Sequence, residues 1–591
     1  MCVWRNNSLW RLVAAGVLLA GALACGQQSC SCAEPLDRPI EESNLIYDGA
    51  QARLTPAAFS FIEQNLPTIL ETLLGEGLNI PVPRTDASQT FLWFTIEIII
   101  CENGCTLQAE IVDTDINPVS PNKLQIDAHI NLRGTITING TFDCDVPIDI
   151  KNKPVHADVY LLTDTRDRLA YVDVGQVDVT ITSDDYELTC DWGFLSDIGL
   201  GDFIDDVVNW IMGLLTPTLN NQLRDQLNDA VDDMVADATC LDCNYYTGGC
   251  PAGASCNNDF CMQSGTCRHM PLGMVGAIDL TEQLAALGSS AYPLEIMLAA
   301  GQQQATSVDR VIQNGGLELR MIGGARSLRH PCVPEPAPGE IPSNAPAPRL
   351  VFTDSVPGTG TGYMLGIAVS DAVLDWYIYK AHLGGMLCLS LGSDLSDMLS
   401  SGSLSLLGMA SLQQLTGGRN MPVYIKFRPT RVPYTEVGSG RVSYDDQGNP
   451  KLEEPLLYLF IPGLELDFWV KIEDRWMRVL TLAMDLELDA GLVVDNQNRL
   501  VPLLGQDSVK LSNIDVRNYE LLGDDPQKLK ELLPSLIGMA LPMLTGSLQP
   551  IELPSVQGFV MEVMGIKGVG RRGDSPYYDF LTIWANLRFQ P

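Results

Sequence analysis

The chain has 591 residues, with 37 Lys and Arg against 73 Asp and Glu, which gives a formal net charge of −36 at pH 7. A chain this acidic is expected to repel phosphate backbones and anionic membrane surfaces, which excludes nucleic acid as a partner. Its length allows two to four domains with full-sized cores, and its 16 cysteines are typical of an exported chain that forms disulfides.

The first residues have the layout of an export signal. An apolar stretch at 12–23 follows Arg5 and Arg11 and is too short to span a bilayer. It ends in Ala-Leu-Ala-Cys at 22–25, which resembles the lipobox of bacterial lipoproteins, whose cysteine carries the lipid. We expect removal of residues 1–24 and a lipid anchor at Cys25. Gly26 is not the Asp that retains such proteins at the inner membrane, so the resemblance points to the outer membrane, facing the periplasm or the cell surface. The alternative is ordinary cleavage after an A-x-A site, which releases a soluble protein.

Two elements are predicted before the first strands. Residues 25–50 are polar, without a sustained apolar period, and are predicted to form a flexible tether. A helix is predicted over 55–74, with Thr55 as N-cap and Pro56 at its first position. Its apolar residues recur at helical spacing: Phe59, Ile62, Leu66, Ile69, Leu70 and Leu73.

From residue 91 to 182 the apolar period changes to two. Alternation such as Ile126, Ala128, Ile130 predicts long antiparallel strands with one apolar face, and Gly134 and Gly140 are candidate bend points. A second long helix is predicted over 202–237. Its apolar stripe is Ile204, Val208, Ile211, Leu215, Leu219, Leu223, Leu227, Val231 and Met234. A curled sheet wrapped on a long helix is the expected arrangement.

Six cysteines then fall within residues 240–267, in a segment too poor in large apolar residues to build a core. The segment is predicted to be an insert held by three disulfides, whose pairing the sequence leaves open. The less favoured alternative is a zinc site that uses the Cys240–Cys243 spacing and the nearby His269.

The second half of the chain repeats the plan of the first. Strand-like segments at 274–280, 293–298 and 317–322 lead to a proline-rich linker at 331–349. An apolar, strand-like stretch at 364–391 follows, then a weak helix at 395–415 and alternating strands at 464–472 and 480–488. A turn at 495–498, a last long helix at 525–548 and a last strand at 577–589 complete the plan.

At this point the order of elements resembles the double-barrel lipid-binding superfamily of bactericidal/permeability-increasing protein and lipid-transfer proteins (TULIP). The most specific stretches are GYMLGIAVSD at 362–371, VLDWY at 373–377, GGMLCL at 384–389 and LQPIELP at 548–554. The resemblance implies a strand, a Ser-Asp step, an apolar helical turn, a glycine turn and another strand at the entry to a second barrel.

The resemblance implies an α+β fold. It has two elongated barrel-like domains, each a highly curved antiparallel sheet wrapped on long helices, joined by a central sheet into a boomerang. The implied domains are a signal peptide at 1–24, a tether at 25–50, a first barrel at 51–239 plus 268–330, a disulfide insert at 240–267, a linker at 331–349 and a second barrel at 350–591.

The resemblance also implies an acyl-chain slot in each barrel. The candidate slot residues are Phe59, Ile62, Leu66, Ile69, Ile211, Leu215, Leu219, Leu223, Leu536, Ile537, Ala540 and Leu544. The family's barrel disulfide has one cysteine on the long helix, whereas the helix here has none, so Cys144 and Cys190 are expected to pair instead. The remaining disulfide candidates are Cys101, Cys105, Cys240, Cys243, Cys250, Cys256, Cys261, Cys267, Cys332 and Cys388. Two departures are the insert and the lack of an evident cationic tip.

The sequence carries no recognisable catalytic motif. Nucleophile-elbow, zincin, P-loop and complete EF-hand patterns are missing, and the five histidines show no triad or metal spacing. We therefore expect no enzyme, no cofactor and no metal. The predicted function is binding and transfer of phospholipid or another acyl-chain lipid by a membrane-anchored protein. The rival hypothesis is a surface interaction or adhesion lipoprotein with filled barrels, which uses the Cys-rich insert as its contact module.

Overall fold

The computed structural model describes residues 34–74, 78–91, 94–191, 201–278, 290–303, 311–392, 399–531, 533, 550 and 559–589. The predicted anchor Cys25 and the slot candidates Leu536, Ile537, Ala540 and Leu544 lie outside the described residues, as do the side chains of Leu66 and Ile69. Within the described ranges, no helix is long and apolar enough to cross a membrane.

The N-terminal half contains two long helices and a succession of strands. Its elements are β1 Leu45–Leu54, α1 Pro56–Leu74, β2 Leu78–Val82, β3 Thr85–Phe91, β4 Phe94–Ile100, β5 Cys105–Val119, β6 Lys123–Gly140, β7 Asp143–Thr163, β8 Ala170–Val174, β9 Asp178–Val179, β10 Thr189–Asp191, α2 Gly201–Thr239, β11 Ser255–Asn257, β12 Phe260–Gln263, β13 Thr266–Cys267, β14 Gly273–Ile278, β15 Leu294–Ala300, β16 Ile312–Gln313 and β17 Gly316–Arg326.

The C-terminal half is also built mainly from strands. Its elements are β18 Leu365–Ser370, α3 Asp371–Leu383, β19 Ser390–Gly392, α4 Ser401–Leu407, α5 Ala410–Leu415, β20 Val423–Pro429, β21 Tyr434–Val437, β22 Val442–Tyr444, β23 Pro450–Leu452, β24 Leu457–Ile472, β25 Arg475–Val494, β26 Leu500–Arg517, α6 Pro526–Lys530, β27 Phe559–Arg571 and β28 Tyr578–Phe589.

Strand β1 joins the two halves. It pairs with β17 on one side and with β18 on the other, and β18 pairs in turn with the last strand, β28. In the described part of the chain, these pairings create one antiparallel sheet of 14 strands that runs through both halves. The sequence prediction of a central sheet is therefore confirmed, while the boomerang shape stays a prediction.

A second sheet belongs to the N-terminal half alone and, as far as the structure describes it, has nine strands, with β5, β6 and β7 at its centre. Register shifts interrupt the ladder between Ile111 and Asp113 and between Ile130 and Leu132. Bulges of this kind bend a sheet and increase its twist, which lets long strands curl around a core. Gly140 also lies in the left-handed region at φ 147°, and a Cβ there would meet the Glu97 carbonyl oxygen.

Two of the three long helices predicted from apolar spacing are present, and most of the third, over 525–548, lies outside the described residues. The periodicity over 202–237 corresponds to α2, which contains Pro217, and the prediction over 55–74 corresponds to α1. The hydroxyl of Thr55 donates to the Tyr363 carbonyl oxygen at 2.7 Å, so its side chain ties the start of α1 to the C-terminal half. The motif at 362–389 forms β18 and α3, and β19 begins directly after it, in the order that the resemblance implied. The Ser370 hydroxyl caps α3 by accepting from the Val373 N–H.

The predicted tether at 25–50 is wrong for its second part. Residues 45–50 belong to β1, inside the large sheet, and Leu36 and Ile40 are buried. The strand was missed because its polar residues, Gln51 and Arg53, are typical of exposed segments. Tertiary contacts satisfy them instead, since Gln51 bonds to Pro348 and Leu350, and Arg53 forms ion pairs.

Two predictions in the second half need correction. The weak helix at 395–415 is two helices, α4 and α5, separated at Gly408, which adopts a φ of 131° that favours glycine. The strand-like stretch at 364–391 contains the helix α3. Strand β27 was missed, because its apolar residues are interrupted by Gly565, Gly568 and Gly570.

Candidate functional site

The inner face of the nine-stranded sheet is the first part of the candidate site. Register places Ile116, Ile126 and Ala157 side by side in one row across β5, β6 and β7. Thr114, Ala128 and Val155 form the next row, and Ile111 lies beyond it. All except Thr114 are only partly buried, although they face inward. These residues are called the N-terminal band: Ile111, Ile116, Ile126, Ala128, Val155 and Ala157.

Beyond the N-terminal band, the same inner face is fully buried. Leu132, Ile136 and Ile138 of β6 are 0% exposed and pack in one cluster with the α2 stripe. The slot candidates on α2 belong to this cluster and are 0–2% exposed: Ile211, Leu215, Leu219 and Leu223. A side chain beside an open slot keeps accessible surface, so these four contact protein in the structure. Their role as ligand contacts stays a prediction.

Helix α1 lies at the edge of the N-terminal band. Strand β2 pairs with β5 only as far as Ala109, which leaves the outer edge of β5 open farther along. There the Glu63 carboxylate accepts a hydrogen bond from the Ile116 N–H at 2.8 Å, which fixes α1 beside β5. The slot candidates Phe59 and Ile62 are buried, and Phe59 packs in the cluster beneath the large sheet.

One polar group lies within the N-terminal band. Thr114 is 7% exposed, and its hydroxyl has no hydrogen-bond partner among the described residues. A buried hydroxyl without a partner costs stability, because the water that it loses on folding is not replaced. Among otherwise apolar neighbours, it is the one group in these rows that could accept or donate a hydrogen bond to a ligand.

The C-terminal half contains a matching surface. Register aligns Leu459, Leu488 and Val509 across β24, β25 and β26, and aligns Leu486 with Leu511 in the next row. These side chains are partly buried, as are Leu457 and Ala490 of the preceding row. Together they are called the C-terminal band: Leu457, Leu459, Leu486, Leu488, Ala490, Val509 and Leu511.

The C-terminal band also continues into a closed core. Phe468, Leu480 and Leu482 are 0% exposed and share a cluster with Leu529 of α6 and with Leu533. In both halves, therefore, a continuous apolar inner face is fully buried along one stretch and partly exposed along the next. The sequence showed the alternation but not this division, because inward-facing residues look alike whether they touch protein or an open space.

The disulfides confirm several predictions. Cys144 pairs with Cys190, and the insert is held by Cys240–Cys267, Cys243–Cys256 and Cys250–Cys261. The structure adds Cys101–Cys105 and Cys332–Cys388. The zinc alternative is wrong for this structure, because Cys240 and Cys243 are each bonded to another sulfur and offer no thiolate.

The Cys-rich insert is partly a structural layer. Leu241 and Tyr246 pack in one cluster with Met297 and Ile322 of the large sheet. Its Thr247 N–H donates to the Leu36 carbonyl oxygen at 2.9 Å, which holds the N-terminal segment against the insert. The rival hypothesis, in which the insert contacts a partner, would have to use its other surface.

One histidine contacts a serine hydroxyl. The His330 Nε2 lies 3.1 Å from the Ser290 hydroxyl, a pair that the sequence did not indicate. The His330 Nδ1 accepts from the Cys332 N–H, so in the neutral ring Nε2 carries the proton and donates to Ser290. A base must accept the proton, so this pair is not poised to activate the serine. Burial lowers the pKa of His269 and of His382 to about 4.

An acidic cluster in the C-terminal half surrounds one cation. Arg572 contacts Asp371 at the start of α3, Glu436 of β21 and Asp579 of β28. Burial, and then the charge of Asp375, raise the pKa of Asp371 to about 7. The cluster ties α3 to the sheet, and Arg572 already occupies its centre.

Comparison with known proteins gives distant similarities. A lipopolysaccharide binding protein crystal structure is 15% identical, with a TM-score of 0.40, and the alignment covers 92% of this chain and 99% of that one. P47 of Clostridium botulinum E1 is 8% identical, with a TM-score of 0.22 and coverage of 92% and 100%. P47 from Clostridium botulinum A2 is also 8% identical, with a TM-score of 0.22 and coverage of 91% and 97%. No protein-family model and no curated protein sequence matches the chain. Similarity at this level assigns neither a family nor a ligand.

Proposed function

We propose that this protein binds acyl-chain lipids, phospholipid first among them, without catalysis. The lipid tails lie along the N-terminal and C-terminal bands. The protein is exported, held at the bacterial outer membrane by a lipid on Cys25, and passes its lipid to or from that membrane. One observation supports the binding sites above all: the same inward-facing but incompletely buried apolar surface occurs in both halves.

The physical argument rests on the chemistry of the bands. Burying one CH₂ group contributes about 0.8 kcal/mol, so a 16-carbon chain in a dry slot contributes about 12 kcal/mol. An exposed ion pair contributes about 0–1 kcal/mol. An acidic protein can therefore hold a phospholipid by its tails while the head group stays in water. The unpaired Thr114 hydroxyl offers a partner for an ester oxygen near the tail.

The first test is mass spectrometry of an organic extract from the purified protein. Stoichiometric phospholipid supports the proposal. Ala157→Trp places an indole in the N-terminal band, so we expect the amount of bound lipid to fall by about half if both bands are occupied. Thr135→Trp is the matched control, because Thr135 is exposed on the outer face of the neighbouring strand β6. Equal lipid in the two variants would contradict a site in the N-terminal band.

A second candidate function is supported by the burial of the α2 stripe. Since these residues already contact protein, the barrels could be filled cores, and the protein a surface interaction lipoprotein. The same extract distinguishes the two functions. Lipid-free parent protein, together with a loss of stability but no change in lipid for Ala157→Trp, favours the filled core.

The proposed anchor has its own test. Cys25→Ser removes the sulfur that carries the lipid, so we expect the protein to move from the membrane fraction to the soluble fraction. Unchanged partition into detergent would contradict acylation while leaving the proposed bands untouched.

A further inference from the structure

The hairpin turn between β24 and β25 combines exposed aromatic and cationic side chains. Strands of 16 and 20 residues meet at Glu473 and Asp474, whose φ angles of 45° and 65° form a tight two-residue turn. Ile472 and Arg475 form the pair next to the turn, and Lys471 faces Trp476 in the following pair. Residues 469–478, with the adjacent Arg419 and Tyr424, are called the hairpin tip.

The apolar part of the hairpin tip is directed at solvent. Trp476 is 49% exposed and Met477 is 38% exposed. The Tyr424 ring lies 6.0 Å from the Trp476 ring and supports it from the neighbouring strand β20. Tyr424 and Trp476 share one face of the sheet, whereas Met477 pairs with the buried Val470 and lies on the other face. Exposed large side chains scattered singly are ordinary, but here amphipathic or soft side chains occur on both faces of one turn.

The charge of the hairpin tip is opposite in sign to that of the protein. Lys471, Arg475 and Arg478 all lie within eight residues. Arg419 is exposed on a loop that reaches this turn, because the Lys471 N–H donates to the Pro422 carbonyl oxygen. The opposing carboxylates are Glu473 and Asp474, the latter 3.3 Å from Lys471, and the buried Asp467.

One hairpin of the N-terminal half, whose turn also lies next to a closed core, has neither property. Residues 138–146, which turn from β6 into β7, contain Asp143 and Asp145 and no Lys or Arg. Its aromatic residue, Phe142, is 7% exposed. The hairpin tip is therefore not what this fold requires at such a turn.

We propose that the hairpin tip docks on an anionic phospholipid bilayer. Trp and Tyr favour the interface between water and lipid because each has an apolar body and a polar group. Lys and Arg extend their cations to lipid phosphates while their stems lie on apolar surface. This inference does not depend on whether the bands hold lipid.

The net charge of −36 does not prevent this docking. The turn lies at one end of β25, a strand of 20 residues whose length along the chain is at most about 65 Å, at about 3.3 Å per residue. Charges in solution are screened beyond about 8 Å at physiological ionic strength. A bilayer that touches the hairpin tip therefore responds to its local cations rather than to the distant carboxylates.

The test is flotation of the full chain with vesicles of phosphatidylcholine, alone or mixed with phosphatidylglycerol. The protein carries Cys25→Ser so that no acyl anchor contributes. We expect binding to the anionic vesicles about tenfold tighter than to phosphatidylcholine, and weaker in high salt. Trp476→Ala with Met477→Ser should reduce the affinity for anionic vesicles about tenfold.

Matched variants keep this test decisive. Tyr444→Ala removes another exposed aromatic, 64% exposed on the separate β22–β23 hairpin, and should bind as the parent does. Arg475→Glu with Arg419→Glu changes two exposed side chains without touching the core and should also abolish the preference for anionic lipid. A parent that does not float, tip variants that bind unchanged, or an equal loss in Tyr444→Ala would overturn the proposal. Capture by a protein or nucleic acid with no vesicle binding would overturn it as well.

Discussion

The N-terminal and C-terminal halves share an interior and differ at their turns. Each half has a long antiparallel hairpin whose inner face is closed along one stretch and incompletely buried along the next. Around Phe142 the N-terminal hairpin is acidic and covered, whereas around Trp476 the C-terminal hairpin is cationic and exposed. An interior must satisfy packing, which leaves few solutions, but a turn is free to vary and often carries function.

The disulfide Cys144–Cys190 is a cross-link of the N-terminal sheet, and its cysteines are 46 positions apart in the sequence. Replacing both cysteines with serine should lower the free energy of unfolding of that half by about 4 kcal/mol, since the unfolded chain regains loop entropy. The C-terminal half should keep its stability. Hydrogen exchange measured separately for β7 and β25 tests this, and equal deprotection of both strands would show that the halves unfold as one unit.

Arg53 lies where the two halves meet. It is 1% exposed, and its guanidinium pairs with Glu318 of β17 and with Asp354 of the connecting segment. Arg53→Ala should cost about 3 kcal/mol, because Glu318 loses a buried partner and a cavity remains. Arg349→Ala is the control, since Arg349 is about half exposed and contacts the same Glu318. Denaturant unfolding that ranks the two variants equally would contradict the central role of Arg53.

The pH dependence of stability should differ between the halves. Helix α3 begins with Asp371, whose pKa is raised to about 7, whereas α1 begins with Pro56 and Ala57. In the unfolded chain an Asp has a pKa of about 3.9. Between these two pKa values the folded state binds more protons than the unfolded state. The stability that Asp371 contributes is therefore fully present below pH 4 and is lost as the pH rises through 7.

Asp371→Asn removes that titration. Between pH 4 and pH 8, we expect the free energy of unfolding of the variant to increase by about 2 kcal/mol relative to that of the parent. The gain is smaller than the whole pKa shift would give, because the bond to Arg572 is also changed. Thermal midpoints across this range measure it. A parallel pair of stability curves would mean that Asp371 does not titrate there.

Overpacking should reduce the free energy of unfolding by the same amount in both closed cores. Leu219→Trp and Leu482→Trp each add volume at a side chain that is 0–2% exposed, so each should lose roughly 2 kcal/mol. Lipid content should stay at the parental level in both. A Leu219→Trp variant that keeps its stability but loses lipid would instead show that the slot reaches α2, as the sequence first suggested.

The smallest expected difference between the halves is in the stability effect of replacing a buried threonine. Thr114 has no partner for its hydroxyl, whereas the Thr481 hydroxyl of the C-terminal half donates to Asp467 at 2.6 Å. Thr114→Val should raise stability by about 1 kcal/mol in lipid-free protein, and Thr481→Val should lower it by about the same amount. Reduced lipid binding in Thr114→Val would show that its hydroxyl serves the ligand.

Local patterns were sufficient for much of the fold. The 3.6-residue period predicted α1 and α2 because a long amphipathic stripe is a strong signal, and the density of cysteines predicted the three disulfides of the insert. The predicted turn at 495–498 is also present, with the Asp495 carboxylate accepting from the Gln497 and Arg499 N–H groups. Each of these features depends on residues that are neighbours in the sequence.

The candidate site was harder to predict from the sequence than the fold. Ile126 and Ile136 occupy equivalent positions in one alternating strand, yet Ile126 keeps accessible surface and Ile136 keeps none. Which of them meets a covering helix depends on where distant elements pack, and alternation carries no information about that. The hairpin tip was missed for a related reason, because the sequence alone does not show that Tyr424 lies beside Trp476 or that the loop at Pro422 reaches Lys471.

By itself, the sequence determined the acidic character of the chain, its cysteine-stapled insert, its first two long helices and its alternating strands, since local spacing and composition suffice for these. Only the tertiary structure decided that residues 45–54 form the strand joining the two halves. The sequence placed residues 45–50 in a tether, and the polar residues Gln51 and Arg53 hid the rest of the strand, because their partners Pro348, Glu318 and Asp354 are distant in the chain. The same holds for the two bands and the hairpin tip, because burial and charge neighbourhood depend on contacts between residues far apart in the chain.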